Sequence, residues 1–298
     1  MALFAQLSDE LAAAVETAGR SLVRVNGRPR QAASGLVWRA DGVIVTADHV
    51  VERDDDLTVG LPDGTEVAAT IVGRDPGTDL AVLRVQASGL QTIQPADGAR
   101  VGSLVLAVAR PGQSTQATLG VVSAIGGQTR TWRGGVLEGF IRTDAVLYPG
   151  FSGGALVDSS GAAIGLSTSH FGQGAGFAIP MATVKRVAEQ LLTGGRVKRG
   201  YLGVTSQPVA LPAAIRERLS LEQETGLLLL GVEPGGPAET AGVLIGDVLV
   251  GLGGSPLRDT DDLQRALGGD RVGQATQLRC VRGGELRELT VTIGERPR

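Results

Sequence analysis

Short aliphatic runs cut at close intervals by glycine are the feature that most restricts the fold of this chain. Asp41-Gly42 separates Leu36-Val37-Trp38 from Val43-Ile44-Val45, and Asp63-Gly64 separates Leu57-Thr58-Val59 from Val67-Ala68-Ala69-Thr70-Ile71. An Asp-Gly pair between two such runs favours a tight hairpin, because glycine adopts backbone angles closed to other residues. The pattern predicts short antiparallel strands joined by tight turns as far as about Ile179, a mainly β architecture. Two segments break it. Leu7, Leu11, Ala14, Val15, Ala18 and Leu22 have helical spacing, and so do Val184, Val187, Ala188, Leu191 and Leu192 within Met181–Leu192, which Thr193-Gly194-Gly195 would end.

With 298 residues and 42% hydrophobic content the chain can build two or three units with real cores. A formal charge of −3, with only 5 Phe, 2 Tyr and 2 Trp, offers neither attraction to phosphate nor a surface for stacking bases, so no nucleic-acid partner is expected. The basic cluster Arg196-Val197-Lys198-Arg199 reads as a solvated linker. Cys280 alternates with charged neighbours as a core-facing strand residue does, and a single cysteine forms no intrachain disulfide. With one cysteine and two histidines far apart in sequence, neither a metal site nor a cofactor is expected. The N-terminus lacks a basic start and an apolar core, and no uncharged run has membrane-spanning length. As written the chain reads as cytoplasmic; the alternative is a periplasmic or other extracytoplasmic protein whose leader has been removed.

Tyr148-Pro149-Gly150-Phe151-Ser152-Gly153-Gly154 sets one serine in a tight, glycine-lined turn, where backbone N–H groups can face a developing negative charge. The plain alternative is a Gly-Ser loop. A serine nucleophile requires a histidine base and a carboxylate to orient it. His49 closes the apolar run from Val43, where a rigid strand gives way to a turn. His170 lies in a small-residue loop and reads as an ordinary loop residue or, alternatively, a wall of a substrate cleft. Among the acidic residues Asp79 stands out because it opens the run Leu80-Ala81-Val82-Leu83-Arg84-Val85, where an unpaired charge would be costly. Asp75 and Asp54-Asp55-Asp56 read as solvated loop residues.

Thr46-Ala47-Asp48-His49-Val50-Val51, Asp79-Leu80-Ala81-Val82-Leu83-Arg84-Val85 and Thr143-Asp144-Ala145 leading into Gly150-Phe151-Ser152-Gly153-Gly154 together resemble the chymotrypsin-like proteases of the HtrA (DegP/DegS-like) family. Ser34-Gly35-Leu36-Val37, Gly120-Val121-Val122-Ser123 and Gly174 to Pro180 extend the match, in the same order along the chain. The resemblance implies two antiparallel β-barrels with the site in the crevice between them. It implies His49 as general base, Asp79 as its orienting partner, Ser152 as nucleophile, and an oxyanion hole from the Gly150, Phe151 and Ser152 loop, with N–H groups from Gly150 and Ser152. The primary specificity pocket would be shaped by Leu147, Tyr148, Ser167 and Ser169 within the segment Ser167 to Gly176. These stretches hold no acidic residue, which predicts cleavage after small or medium aliphatic side chains. One position departs from the family: Phe151 stands where asparagine or aspartate is usual.

Beyond the second helix the chain changes character. Arg199-Gly200-Tyr201-Leu202-Gly203-Val204, the stretch Pro237-Ala238-Glu239-Thr240-Ala241-Gly242 and Gly246-Asp247-Val248-Leu249 resemble a PDZ domain of the HtrA type, a small α+β unit. Tyr201, Leu202, Gly203 and Val204 would hold a peptide's terminal carboxylate and pair with it as an added strand. A helix from the N-cap candidate Thr260 to Leu267 would form the other wall, with Leu263 and Leu267 serving either the groove or the core. The expected division is a lead-in over 1–22, a protease domain over 23–192, a linker over 193–199 and a PDZ domain over 200–295. The resemblance implies unfolded or misfolded proteins as substrates, C-terminal peptides as PDZ ligands, and a homotrimer assembled through the N-terminal region, where this chain offers Phe4. The rival reading is a protease-fold scaffold or chaperone with weak catalysis, for which Phe151 is the main support. An esterase is disfavoured because the serine follows His and Asp in sequence and lacks the strand-to-helix elbow.

Overall fold

The computed structural model describes residues 2–127, 129–130, 136–137, 139–171, 176–198, 200–268 and 271–296. The chain divides into two units, Met1–Val197 and Lys198–Arg298. Gly174 and Ala175 of the family-like stretch, Gly172 and Gln173 of the expected pocket segment, and Arg199 of the basic cluster lie outside the described residues.

The first unit opens with α1 (Ala2–Gly19), whose Ala14 and Ala18 are buried while Leu3 and Phe4 are exposed. The helix expected over Leu7–Leu22 therefore begins sooner and stops at Gly19. Leu22 instead starts the first strand, opposite Leu36 and fully buried, because barrel burial outweighs its helical spacing. Strands β1 (Leu22–Asn26), β2 (Ala33–Arg39), β3 (Val43–Ala47), β4 (Thr58–Gly60), β5 (Glu66–Asp75) and β6 (Leu80–Val85) close a barrel in the order β1-β2-β3-β6-β5-β4. At the β2–β3 turn Gly42 has φ +92°, and a Cβ there would lie 2.2 Å from the Val85 carbonyl oxygen, so the turn admits glycine alone. Asp75 is the buried last residue of β5 and accepts the Thr78 hydroxyl at 2.7 Å; it is not the solvated loop residue expected. Its run of turn residues looks exposed in sequence, yet the turn folds onto the barrel end.

The second barrel is built from β7 (Leu104–Ala109), β8 (Gln116–Gly126), β11 (Phe140–Thr143), β12 (Ala155–Val157), β13 (Ala163–Thr168) and β14 (Gly176–Pro180), ordered β11-β14-β13-β12-β7-β8. Between β8 and β11, β9 (Thr129–Arg130) and β10 (Val136–Leu137) form a two-stranded ribbon. β3 is buried at every position, because one face fills its own barrel and the other meets β13. This explains why the central strands read as continuous apolar runs without alternation. Helix α2 (Met181–Gly194) packs Val184, Val187, Ala188 and Leu191 against β5, β6 and β13, and ends where Gly195 takes a left-handed conformation at φ +68°.

In the second unit β15 (Gly200–Tyr201) pairs with β22 (Gly294–Glu295). The main sheet runs β16 (Val204–Ala210), β17 (Thr225–Val232), β18 (Val248–Leu252), β20 (Ala275–Arg282), β21 (Glu285–Thr292), with β19 (Ser255–Pro256) attached to β18. Helices α3 (Ala213–Leu219), α4 (Pro237–Thr240) and α5 (Thr260–Ala266) complete it. α5 is capped by Asp259, whose carboxylate accepts the Asp262 N–H at 2.8 Å, and not by Thr260 as expected; Asp259 holds the extended N-cap backbone from which its carboxylate reaches the exposed N–H groups, while Thr260 is already the first helical residue. Cys280 faces the core fully buried, and burial pushes its thiol up to about 11, which leaves it chemically inert.

Candidate active site

His49 sits in a short 3₁₀ turn, Asp48–Val50, directly after β3. Asp79 precedes β6, the strand paired with β3, so the antiparallel ladder brings the two residues together. Asp79 occupies the left-handed region at φ 57°, tolerable for aspartate, and is 1% exposed. Its carboxylate is not stranded there. The His49 Nδ1 lies 2.9 Å from both carboxylate oxygens, and the His49 backbone N–H donates to Oδ1 at 2.9 Å. Thr168, at the end of β13 in the other barrel, donates its hydroxyl to Oδ2 at 2.6 Å. These donors satisfy a buried charge and fix the imidazole with Nε2 directed away from Asp79. Asp48 supports the turn from behind: Arg74 Nε donates to its carboxylate at 2.6 Å and its own N–H donates to the Asp79 carbonyl at 3.0 Å.

Ser152 is 5% exposed and follows a loop held on several sides. The Ser34 hydroxyl donates to the Gly150 carbonyl at 2.9 Å and accepts the Arg110 N–H at 2.9 Å, while the Ser34 N–H donates to the Ser152 carbonyl at 3.1 Å. Gly153 has φ +85°, and a Cβ there would lie 2.0 Å from the Ser34 carbonyl oxygen, so glycine is required for this approach between the barrels. The Phe151 N–H is already donated to the Tyr148 carbonyl at 2.9 Å, which removes it from the set of oxyanion donors. Among the described residues the Gly150 and Ser152 N–H groups have no protein acceptor. The Phe151 side chain turns inward, 1% exposed among Val105, Ala107, Val122 and Ile141, with its ring edge-on to Tyr148 at 5.8 Å. The bulky departure from the family pattern is thus absorbed by the second-barrel core and stays out of the cleft.

The nucleophile candidate is not bonded to His49. Ser152 Oγ pairs with Ser169 Oγ at 3.0 Å and accepts the Ser169 N–H at 3.2 Å. Of the expected pocket residues, Tyr148 and Ser169 are exposed, Leu147 is half-buried against the second-barrel core, and Ser167 is buried with its hydroxyl unpartnered among the described residues. Sequence reading missed Ser34 and Thr168 as supports of the site, and it set His170 apart as an unfixed loop residue. The structure instead stacks His170 on His49, ring centroids 5.4 Å apart, so the two histidines distant in sequence are neighbours.

In the second unit β16 is an edge strand, paired among the described residues only with β17, and α5 lies beside it. Gly203 takes φ +76° at the mouth of this edge, and Tyr201 precedes it in β15. Leu202, Leu263 and Leu267 are all buried in the core of the unit, while Val204 packs partly against it.

Residues 33–166 match the trypsin-like peptidase domain family and residues 200–293 the PDZ domain family. A DegP-like probable periplasmic serine endoprotease of Ectopseudomonas mendocina is 38% identical over 282 residues, covering 91% of this chain and 58% of the relative. Its counterpart from Brucella suis is 39% identical over 280 residues, covering 91% and 54%. The chain thus spans little more than half the length of the curated relatives it matches. Among solved structures, the HtrA-type protease AlgW with a decapeptide superimposes with a TM-score of 0.81 at 32% identity, covering 97% of this chain and 99% of that one. The serine endoprotease from Yersinia pestis gives 0.79 at 30% identity, covering 96% and 98%. A double β-barrel carrying His49, Asp79 and Ser152 at its junction, joined to a PDZ unit and matched over nearly its whole length by an HtrA-type protease, places this chain in the HtrA family of trypsin-like serine proteases with a PDZ domain.

Proposed function

We propose that this protein is a serine endopeptidase acting through an acyl-enzyme, and the observation that carries the reading is the His49–Asp79 pair locked by Thr168 across the barrel junction. Substrate entry draws Ser152 Oγ from Ser169 to Nε2 of His49, which takes its proton as the oxygen attacks the scissile carbonyl. The Gly150 and Ser152 N–H groups hold the resulting oxyanion. His49 returns the proton to the leaving amine, and water repeats the sequence to release the acid. Asp79 keeps the imidazole in one tautomer and stabilises its cationic form throughout.

The substrates we infer are unfolded or misfolded polypeptides, cut after small or medium aliphatic residues in a pocket bordered by Leu147, Tyr148, Ser167 and Ser169. The PDZ domain, over 200–295 after a linker at 193–199, would take C-terminal peptides as an added strand along the open edge of β16, with the terminal carboxylate at the Leu202-Gly203-Val204 turn. Exposed Leu3 and Phe4 on α1 support a homotrimeric assembly through the N-terminal region. No helix among the described residues is long and apolar enough to cross a membrane, and the relatives' periplasmic names favour an extracytoplasmic location. A fluorophosphonate probe and an unfolded substrate, offered to the purified chain and to its Ser152→Ala variant, test the enzyme reading. Labelling and cleavage by the parent alone are expected; equal behaviour of the two sinks it.

A further inference from the structure

His170, in the loop after β13, does more than border the cleft. Its ring lies over that of His49 with centroids 5.4 Å apart and planes 20° from parallel. Among the described residues, one ligand atom from each of His49, Asp79 and His170 lies within 4.8 Å of the others. Two imidazoles bound through nitrogen to one tetrahedral ion, at about 2.0–2.1 Å per bond, hold their ring centroids roughly 5 Å apart. The 5.4 Å seen is close to that spacing, but the near-parallel rings do not yet converge on one point, so binding requires the half-buried His170 ring to rotate. Asp79 completes the arrangement as an outer partner. With Nδ1 of His49 bonded to the carboxylate at 2.9 Å, Nε2 is the nitrogen left to bind, and a ligating imidazole backed by a carboxylate is the pairing that fixes tautomer and raises basicity. Calcium and magnesium prefer oxygen sets and do not suit two imidazoles, whereas zinc and its neighbours do.

We propose that His49 and His170 form a reversible site for a transition-metal cation, Zn²⁺ foremost, with water completing the coordination. The bond is made by the same Nε2 lone pair that would accept the Ser152 proton, so the metal and proton transfer exclude one another. Binding rests on the geometry of the two rings; inhibition rests in addition on the catalytic role proposed for His49.

Calorimetric titration of Zn²⁺ into the full chain carrying Ser152→Ala reads binding without turnover or self-cleavage. One equivalent is expected, with affinity falling at least about tenfold when His170→Phe is added, since phenylalanine keeps a ring against His49 but removes the nitrogen ligand. His170→Ala should show the same loss, and Co²⁺ in place of Zn²⁺ should give a visible absorption band that both variants lose. Unchanged Zn²⁺ affinity in the folded His170→Phe variant overturns the site. In the parent chain, Zn²⁺ should stop peptide hydrolysis, EDTA should restore it, and His170→Phe should require at least about tenfold more metal. A chain that binds the ion and hydrolyses at an unchanged rate overturns the inhibitory half, whereas a chain without hydrolysis defeats the catalytic reading while calorimetry still decides the site.

Discussion

Replacing Phe151 by asparagine, a residue usual at this place in the family, should damage this protein, and the size of the effect follows from where the ring lies. Phe151 is 1% exposed and surrounded by Val105, Ala107, Ala109, Val122, Ile141 and Ala145. Emptying such a site to alanine costs about 3–5 kcal/mol. Asparagine refills part of the volume but places an amide among apolar side chains, where an unpartnered polar group costs about 1–3 kcal/mol. The two corrections nearly cancel, so Phe151→Asn is expected to lose about 4 kcal/mol, and Phe151→Leu only about 1 kcal/mol as an apolar near-replacement. For a unit of this size about 2–4 °C accompany each kcal/mol, so the asparagine variant should melt about 8–16 °C lower. The loop carrying the Gly150 and Ser152 N–H groups is anchored by that ring. Loosening it should lower kcat about 10-fold to 100-fold, less than the complete loss of an oxyanion donor. Differential scanning calorimetry, with peptide hydrolysis measured well below the variant's melting point, checks both parts. A Phe151→Asn chain that melts within about 2 °C of the parent and turns over at the same rate would refute the claim that the ring holds the loop.

Thr168→Val removes the hydroxyl that binds Asp79 Oδ2 at 2.6 Å, and should lower kcat/KM about tenfold, while Thr168→Ser retains most of the rate; steady-state hydrolysis of one peptide by the three chains decides it. Ser169→Ala takes away the hydroxyl partner of Ser152 Oγ and should speed fluorophosphonate labelling about twofold to fivefold, because a neutral hydrogen bond of about 1 kcal/mol no longer holds the proposed nucleophile off His49; slower labelling would show that Ser169 positions it instead. Ser167→Ala deletes a buried hydroxyl that has no partner among the described residues and should be neutral or stabilising by up to about 1 kcal/mol in denaturant unfolding. In the second unit burial alone would raise the Asp247 carboxyl, but the Arg282 hydrogen bonds and the Leu244 N–H prevail and hold it below its ordinary value of 3.8. A lowered carboxyl stabilises the fold above that ordinary value and loses its contribution as pH falls through the folded one. Asp247→Asn should therefore cost about 2–3 kcal/mol at pH 7, discounted for the partly exposed arginine, and show a shallower loss of stability than the parent as pH falls below 3.8 in denaturant titrations followed by circular dichroism.

The parts of this structure legible in sequence are those set by local patterns. Glycine-cut aliphatic runs fix strands and hairpins, and the ends of those runs mark His49 and Asp79, because a strand end is where a polar side chain can leave the core with its backbone still rigid. The parts that stayed hidden depend on contacts between the barrels. Ser34 and Thr168 are small hydroxyl residues inside apolar strands, indistinguishable by periodicity from any β-former, and their partners Gly150 and Asp79 lie far along the chain in the other barrel. Phe151 departs from the family pattern in a way that supports the weak-catalysis reading in sequence, but the tight turn that sends Ser152 to the cleft sends its neighbour's side chain into the core. His170 has no local signal at all. Its place over His49 follows only from closing both barrels, which carries the end of β13 to the mouth of β3. The chemistry proposed for this cleft is therefore set by two layers of information, a local one that puts His49 and the Asp79 carboxylate on adjacent strand ends and a topological one that delivers the hydroxyls and the second imidazole. Substitutions in the second layer should change reactivity and metal sensitivity while leaving the strand pattern of the chain untouched.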